Sequence, residues 1–327
     1  MTLPTGKALR VVFGRTMTEL AEDDPRIVML DADVGVSTGA AAFETAHPDR
    51  FLQMGITEQA MLGVAAGLAT VGFIPVVSSF SCFAVGRAFD SIRVLIAQPE
   101  LNVKIAGGYA GLLTGMTGKT HQMFDDVAIM RTLPNITVLA PADETEAAQA
   151  IRAMVAADGP FYLQLTREKS PVLFGADYRF KIGQAVRVRD GSDVSLISTG
   201  VQTTRVYEAA ELLARHGIDA TVLHVPTIKP IDEQAIVEAA RATGLVVVAE
   251  EQSVLGGLGG AVAEVLSSRY PVPVRRLGIQ DVYGESGTNE ALLDKYRLSA
   301  AAVAEDVEAW LRQQLAFRPL AAGLGKG

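Results

Sequence analysis

The chain has 327 residues, 49% of them hydrophobic and 20% charged, enough for more than one core and too apolar for a disordered polypeptide. Its net charge of −8, without any long basic run, excludes a duplex nucleic-acid binder. A single cysteine, Cys82, excludes an internal disulfide framework, and with only four scattered histidines it offers no metal-ligand cluster.

The N-terminal "MTLPTGKALR" lacks the apolar core of a signal peptide, and the lone cysteine fits a reducing cytosol, so a cytoplasmic protein is expected. A helical pattern covers 7–21, and the β-rich run "RIVML" follows. From Gln59 to Gly86 the sequence carries no charge. That length would suit a membrane span, but Gly63, Gly67, Gly72 and Pro75 divide it into a helix over 57–70 and the strand "FIPVV". A helix over 84–97, the strand "LNVKIAG", a helix over 125–132 and the strand "NITVLA" come next. Asp143 is placed to cap a helix over 143–157, with Glu146 three residues on, before the strand "FYLQLT". The pattern lapses between 168 and 183, read as a linker. A second alternation follows: "DVSLISTG", helix 203–216, "DATVLHV", helix 232–242, "GLVVVAE", helix 258–268, "VRRLGI" and a helical stretch over 288–315. Strands alternating with helices predict an α/β chain of two doubly wound domains, 1–175 and 183–320, with a frayed tail over 320–327.

Three motifs invite a function and fall short of one. "GMTGKTH", Gly115–His121, ends like a phosphate loop, but Leu113 stands where the first glycine belongs. "GGLGGAVAEV", Gly256–Val265, opens a helix after a strand with the wrong glycine spacing for a dinucleotide fold, and reads as close helix packing or a subunit contact. No G-x-S-x-G elbow exists for a serine hydrolase, and Cys82, between Phe80 and Phe83, reads as core.

The informative residue is Glu58, the one acid in "MGITEQAMLGVAAGLATVG". A carboxyl among apolar neighbours must find a partner or hold a proton, and taken alone its place at a helix start suits the dipole. "GITEQAM" is similar to the segment that carries the cofactor-activating glutamate of thiamine diphosphate enzymes. Segments along the whole chain resemble the C-terminal subunit of two-subunit transketolases: "VMLDADVGVSTG", "SSFSCFAVGRAFDSIR", "LNVKIAGGYAGLLTGMTGKTHQ", "IMRTLPNITVLAPAD", "VVVAEEQSVLGGLGGAVAEVL" and "GESGTNEALLDKY". The resemblance implies a pyrimidine-binding domain followed by a transketolase C-terminal domain, and transfer of a two-carbon ketol unit between sugar phosphates. It implies that Glu58 hydrogen-bonds the pyrimidine N1′ and favours the imino tautomer, whose 4′-nitrogen takes the thiazolium proton. Phe80 and Phe83 fall where the family places aromatics on the pyrimidine. His121 matches a histidine that contacts sugar hydroxyls, while Arg10, Ser37 and Arg167 match groups that hold the donor phosphate. Asp33 is read as structural. A tyrosine of some relatives is replaced by Gly86, with Phe89 as the candidate substitute.

The family's substrate loop is altered here. Tyr109 stands in place of a histidine, Met116-Thr117 in place of Glu-Asp, and Lys119 adds a cation, which points to an atypical sugar. No Gly-Asp-Gly anchor for the diphosphate and its Mg²⁺ occurs in the sequence. The resemblance therefore implies an N-terminal partner subunit that carries both, in an α2β2 assembly, with no metal held by this chain and no nucleic acid or membrane as partner. The alternatives are the β subunit of a 2-oxoacid dehydrogenase, whose layout is shared, and a catalytically silent subunit of the same fold.

Overall fold

The structure, a computed structural model, describes residues 3–322. Its strands are β1 Thr5–Ala8, β2 Ile27–Asp31, β3 Phe51–Gln53, β4 Ile74–Phe80, β5 Lys104–Gly108, β6 Thr137–Leu139, β7 Phe161–Gln164, β8 Lys169–Pro171, β9 Val186–Arg189, β10 Val194–Ser198, β11 Ala220–His224, β12 Thr227–Lys229, β13 Val246–Ser253 and β14 Val274–Ile279. They form a seven-stranded sheet in the order β12-β6-β7-β5-β4-β2-β3, a five-stranded sheet in the order β14-β13-β10-β11-β9, and the ribbon β1-β8. Both large sheets are parallel except at one edge, where β12 runs antiparallel to β6 and β9 to β11.

A parallel sheet is covered on both faces, and the strands show it by alternation. Along β2, Val28 and Leu30 enter one apolar core while Ile27 and Met29 enter the other. Along β10, Val194 and Leu196 face one core of the second sheet and Ile197 its opposite. Asp143 caps the helix Glu144–Ala156 through Oδ1, which accepts from Glu146 N at 2.9 Å. No helix among the described residues is long and apolar enough to cross a membrane.

Several expectations need correction. The helix expected over 84–97 is broken into Ser81–Ala84, Phe89–Ser91 and a π-wound Ile92–Ala97. Gly86 sits in the break, where an added Cβ would lie 2.5 Å from the Cys82 carbonyl oxygen. The stretch 288–315 is likewise two helices, Asn289–Lys295 and Ala300–Ala322, because Arg297 adopts a left-handed φ of 57° between them. The segment read as a linker contains β8, which pairs with β1. The helix Ala41–Ala46 and the short strands β3, β9 and β12 were not read from the sequence. Of the tail, residues 323–327 lie outside the described ones.

Candidate active site

Ligand crevices in doubly wound sheets open at the carboxyl ends of the strands, where the strand order reverses. Here the reversal lies between β2 and β4, since the chain passes from β2 outward to β3 and returns on the other side of β2. Thr38, after β2, receives a hydrogen bond from Ser78 of β4 across this point at 2.9 Å. Ser37 follows β2, Phe80 ends β4, Tyr109 follows β5 and Arg167 follows β7. The fold thus brings four of the expected residues to the same end of four adjacent strands.

The loop holding Ser37 is tied down by Asp31 rather than by Asp33. Asp31 is fully buried, and its Oδ2 accepts from Val34 N, Gly35 N and Gln53 Nε2 at 3.0, 3.1 and 3.0 Å. Asp33 is exposed in a left-handed conformation, its N–H donating to Gln53 Oε1. Arg10 reaches this loop from the first helix, where its Nη1 donates to the carbonyls of Val36 and Ser37, both at 3.3 Å. Its Nε is buried and has no partner among the described residues, and the same holds for Arg167 Nε.

The aromatic residues form a continuous stack. Tyr109 lies against Phe80 with ring centroids 3.9 Å apart and planes at 20°. Phe80 meets Phe83 at 5.5 Å and 28°. His121 packs edge-on against both phenylalanines, at 5.8 and 5.3 Å. The Arg167 guanidinium stands over Tyr109 at 5.2 Å, and the Arg87 guanidinium over Phe83 at 4.2 Å. Phe89 packs on the hydrophobic core instead of supplying the missing wall. Tyr109, at a left-handed φ of 57°, stacks on Phe80 after β5.

Glu58 is the first residue of the helix Glu58–Thr70 and is buried. Its setting differs from the wholly apolar one expected. Arg87 Nη1 donates to Oε1 at 3.1 Å and to Oε2 at 3.0 Å. Arg87 is the principal site residue that the sequence reading missed. It lies four residues after Phe83, and the broken helix folds it back over that ring.

His121 Nδ1 shares a hydrogen bond of 2.8 Å with Thr120 Oγ1, leaving Nε2 for a ligand. Lys119 is exposed beside it and borders a cavity of about 290 Å³ shared with Asp125, Asp281 and Tyr283. The resemblance of this loop to a phosphate nest does not survive in space. Gly115 N donates to Asn289 Oδ1 at 3.0 Å, and a Cβ on Gly115 would strike the Gly287 carbonyl, so the loop is packed on the C-terminal half of the chain. The glycines of "GGLGG" wrap a protein carboxylate: Glu250 accepts from Leu258 N and Gly259 N, both at 2.7 Å, at the start of the helix Leu258–Arg269. Burial pushes the Cys82 thiol up to about 12, so it is no nucleophile.

Behind the loop, Asp126 is fully buried. It accepts from the Tyr162 hydroxyl at 2.5 Å and from Gln164 Nε2 at 2.9 Å. The Gln252 amide, from β13, donates to Asp126 at 2.7 Å and accepts from Gln164 at 2.8 Å. Burial pushes Asp126 up to about 6 against the hydrogen bonds that lower it. This network ties the start of the helix Asp126–Thr132, just after the loop carrying Tyr109 and His121, to β7 and β13.

A buried carboxyl paired with Arg87, an aromatic stack at the carboxyl ends of the strands and the arginines Arg10 and Arg167 thus gather on one side of the first sheet. Comparison with known proteins identifies the family. Residues 5–172 match the model for the transketolase pyrimidine binding domain, and 183–303 that for the transketolase C-terminal domain. A putative transketolase C-terminal section from Methanocaldococcus jannaschii is 41% identical over 304 residues, 92% of this chain and 95% of that protein. A 6-deoxy-6-sulfo-D-fructose transketolase subunit from Clostridium sp. is 41% identical over 292 residues, 89% of this chain and 91% of that one. A solved structure described as a split-gene transketolase in an inactive beta4 tetramer is 46% identical, with a TM-score of 0.86 over 94% of this chain and 99% of that one. The chain belongs to the transketolase family. Within it, the chain is the C-terminal subunit of the split type, part of a transferase whose family implies thiamine diphosphate.

Proposed function

We propose that this chain supplies the pyrimidine side of a two-subunit transketolase, with Glu58 as the acid that engages the cofactor. The observation that carries the reading is the buried Glu58 carboxyl, bridged by the Arg87 guanidinium to Phe83 of the Phe80–Phe83 aromatic pair, with His121 against both rings. These residues fit an aminopyrimidine: a carboxyl to hydrogen-bond a ring nitrogen and flat apolar faces to cover the ring. Thiamine diphosphate, when bound, supplies the carbanion chemistry by which a ketol carbon–carbon bond is broken and re-formed. Glu58 holds and returns a proton at the pyrimidine N1′. Phe80 and Phe83 fix the ring and exclude water. His121, with Nδ1 occupied, presents Nε2 to a sugar hydroxyl and moves its proton.

Arg10, Ser37, Arg167 and Lys119 bind the anionic end of the sugar. The buried, unpartnered Nε atoms of Arg10 and Arg167 support this role, since each retains a donor for phosphate-like oxygens. Tyr109 replaces a hydrogen-bonding imidazole by a phenol ring stacked between Phe80 and Arg167, which narrows the donor end of the site. With Met116-Thr117 in place of two acids, we assign a substrate pair other than the usual pentose phosphates. A relative named for a 6-deoxy-6-sulfo sugar supports that assignment. The diphosphate and its Mg²⁺ we assign to an N-terminal partner subunit in an α2β2 assembly in the cytoplasm, since no Gly-Asp-Gly occurs in this sequence.

The test is reconstitution with a partner chain carrying Gly-Asp-Gly. Glu58→Ala is expected to lower turnover by roughly 10²–10⁴-fold, the range for a positioned proton-transfer group. Near-normal turnover of this variant would remove Glu58 from the role. Ordinary efficiency with xylulose 5-phosphate and ribose 5-phosphate would refute the atypical substrate.

A further inference from the structure

Arg87 makes, with one planar group, both contacts that the proposed function gives to the cofactor's pyrimidine. Its Nη1 donates to both oxygens of Glu58, at 3.1 and 3.0 Å, and its Cζ stands over Phe83, 4.2 Å from the ring centroid. A guanidinium is a planar, delocalised N–H donor that stacks on aromatic faces, as an aminopyrimidine does. We infer that Arg87 is a displaceable occupant of the cofactor site: its guanidinium holds Glu58 and covers Phe83, and swings out when the cofactor's pyrimidine takes those contacts. The inference rests on the assignment of Glu58 and Phe83 to the pyrimidine.

The surroundings of Arg87 suit that motion. Its side chain is 51% exposed whereas that of Glu58 is 3% exposed, so the arginine can leave for solvent without uncovering the core, and the acid cannot follow. Its backbone is held independently, because the Arg87 carbonyl accepts from Gln59 Nε2 at 3.2 Å and its N–H donates to the Phe83 carbonyl at 3.3 Å. The side chain therefore moves on a fixed hinge.

The arrangement also answers a physical difficulty. Without a cofactor, an ionised carboxyl in this pocket would be buried and unpaired, which is costly. Arg87 pairs it. The same pairing must be broken on binding, so cofactor affinity is lowered by the worth of one half-exposed ion pair and one cation–π contact. A ligand gripped only at the pyrimidine competes poorly. One also gripped at its diphosphate by the partner subunit competes well, which makes loading depend on assembly.

The experiment uses the assembled enzyme, titrated with thiamine diphosphate and Mg²⁺ by calorimetry. Arg87→Met is expected to tighten binding by about 5- to 30-fold, the combined size of such contacts, with Arg87→Lys in between. In a Glu58→Gln background the gain from Arg87→Met should shrink below about twofold, because the pair it relieves is weakened already. The cofactor-free full chain carrying Arg87→Met should also melt below wild type, an effect that Glu58→Gln reverses. Unchanged or weaker cofactor binding by both Arg87 variants, while Glu58→Gln alone weakens binding, would overturn the placeholder and leave the proposed function standing. Wild-type binding and turnover by Glu58→Gln would instead overturn the proposed function beneath it.

Discussion

Gly107→Ala is the sharpest probe of how the sheet positions the site. Gly107 lies on β5, two residues before Tyr109, and an added Cβ would fall 2.7 Å from Cε2 and 2.8 Å from Cζ of Tyr162, closer still to its hydroxyl. Tyr162 is fully buried and its hydroxyl donates to Asp126 at 2.5 Å, so the ring cannot retreat without losing that bond. Overpacking of this kind costs about 1–3 kcal/mol. A hydrogen bond to a carboxyl group adds about 1.5–3 kcal/mol. The sum, about 2.5–6 kcal/mol, corresponds to a fall in Tm on the order of 10 °C. Urea and thermal unfolding of the full chain measure it. Tyr162→Phe removes the nearest atom, so the double variant should lose less than the two single losses added, by about 1–2 kcal/mol. A Gly107→Ala chain within about 0.5 kcal/mol of wild type, or strictly additive losses, would refute the claimed contact.

His121→Ala should lower transfer by about 100-fold or more while leaving thiamine diphosphate affinity within about threefold, since its ring touches Phe80 and Phe83 only by its edge. A parallel loss of cofactor binding in calorimetry would make it a wall of the cofactor pocket instead. Asp126 sets a pH dependence. Burial raises its carboxyl to about 6 from an ordinary 3.8, so its contribution to stability is full below the unfolded value and is lost as pH rises through about 6. The stability of wild type relative to Asp126→Asn should therefore fall by up to about 3 kcal/mol between pH 4 and pH 7. Urea titrations giving the same difference at both pH values would count against it.

The alternation of strands and helices was legible because a parallel sheet demands apolar strands and glycine- or proline-marked turns, and β2, β4, β5 and β7 obey that rule. The parallel sheets and the Asp143 cap followed from local chemistry. Glu58, Phe80 and Phe83 could be singled out because a lone acid and paired aromatics stand out in an uncharged stretch. Arg87 was missed because 84–97 reads as one regular helix, and only the break around Gly86 turns the arginine back onto Phe83 and Glu58. Phe89 turns into the core for a similar reason: which ring faces the crevice depends on where the broken helix lands. Asp31 was passed over for Asp33 because its hydrogen bonds go to backbone N–H groups and to Gln53, partners that no spacing rule reveals. The strand β12 is too short to show a period, and its partner lies in the other half of the sequence.

That last strand has a consequence for the history of the chain. Thr227–Lys229 arises after three strands of the second sheet, yet it forms the edge of the first by pairing with Thr137–Leu139. A break in the gene between residues 172 and 227 would leave the amino-terminal piece with a raw hydrogen-bonding border, open to any other unpaired strand. An amino-terminal half kept alone would therefore present β6 as a fresh sheet edge, while one kept with this three-residue strand would have that edge covered.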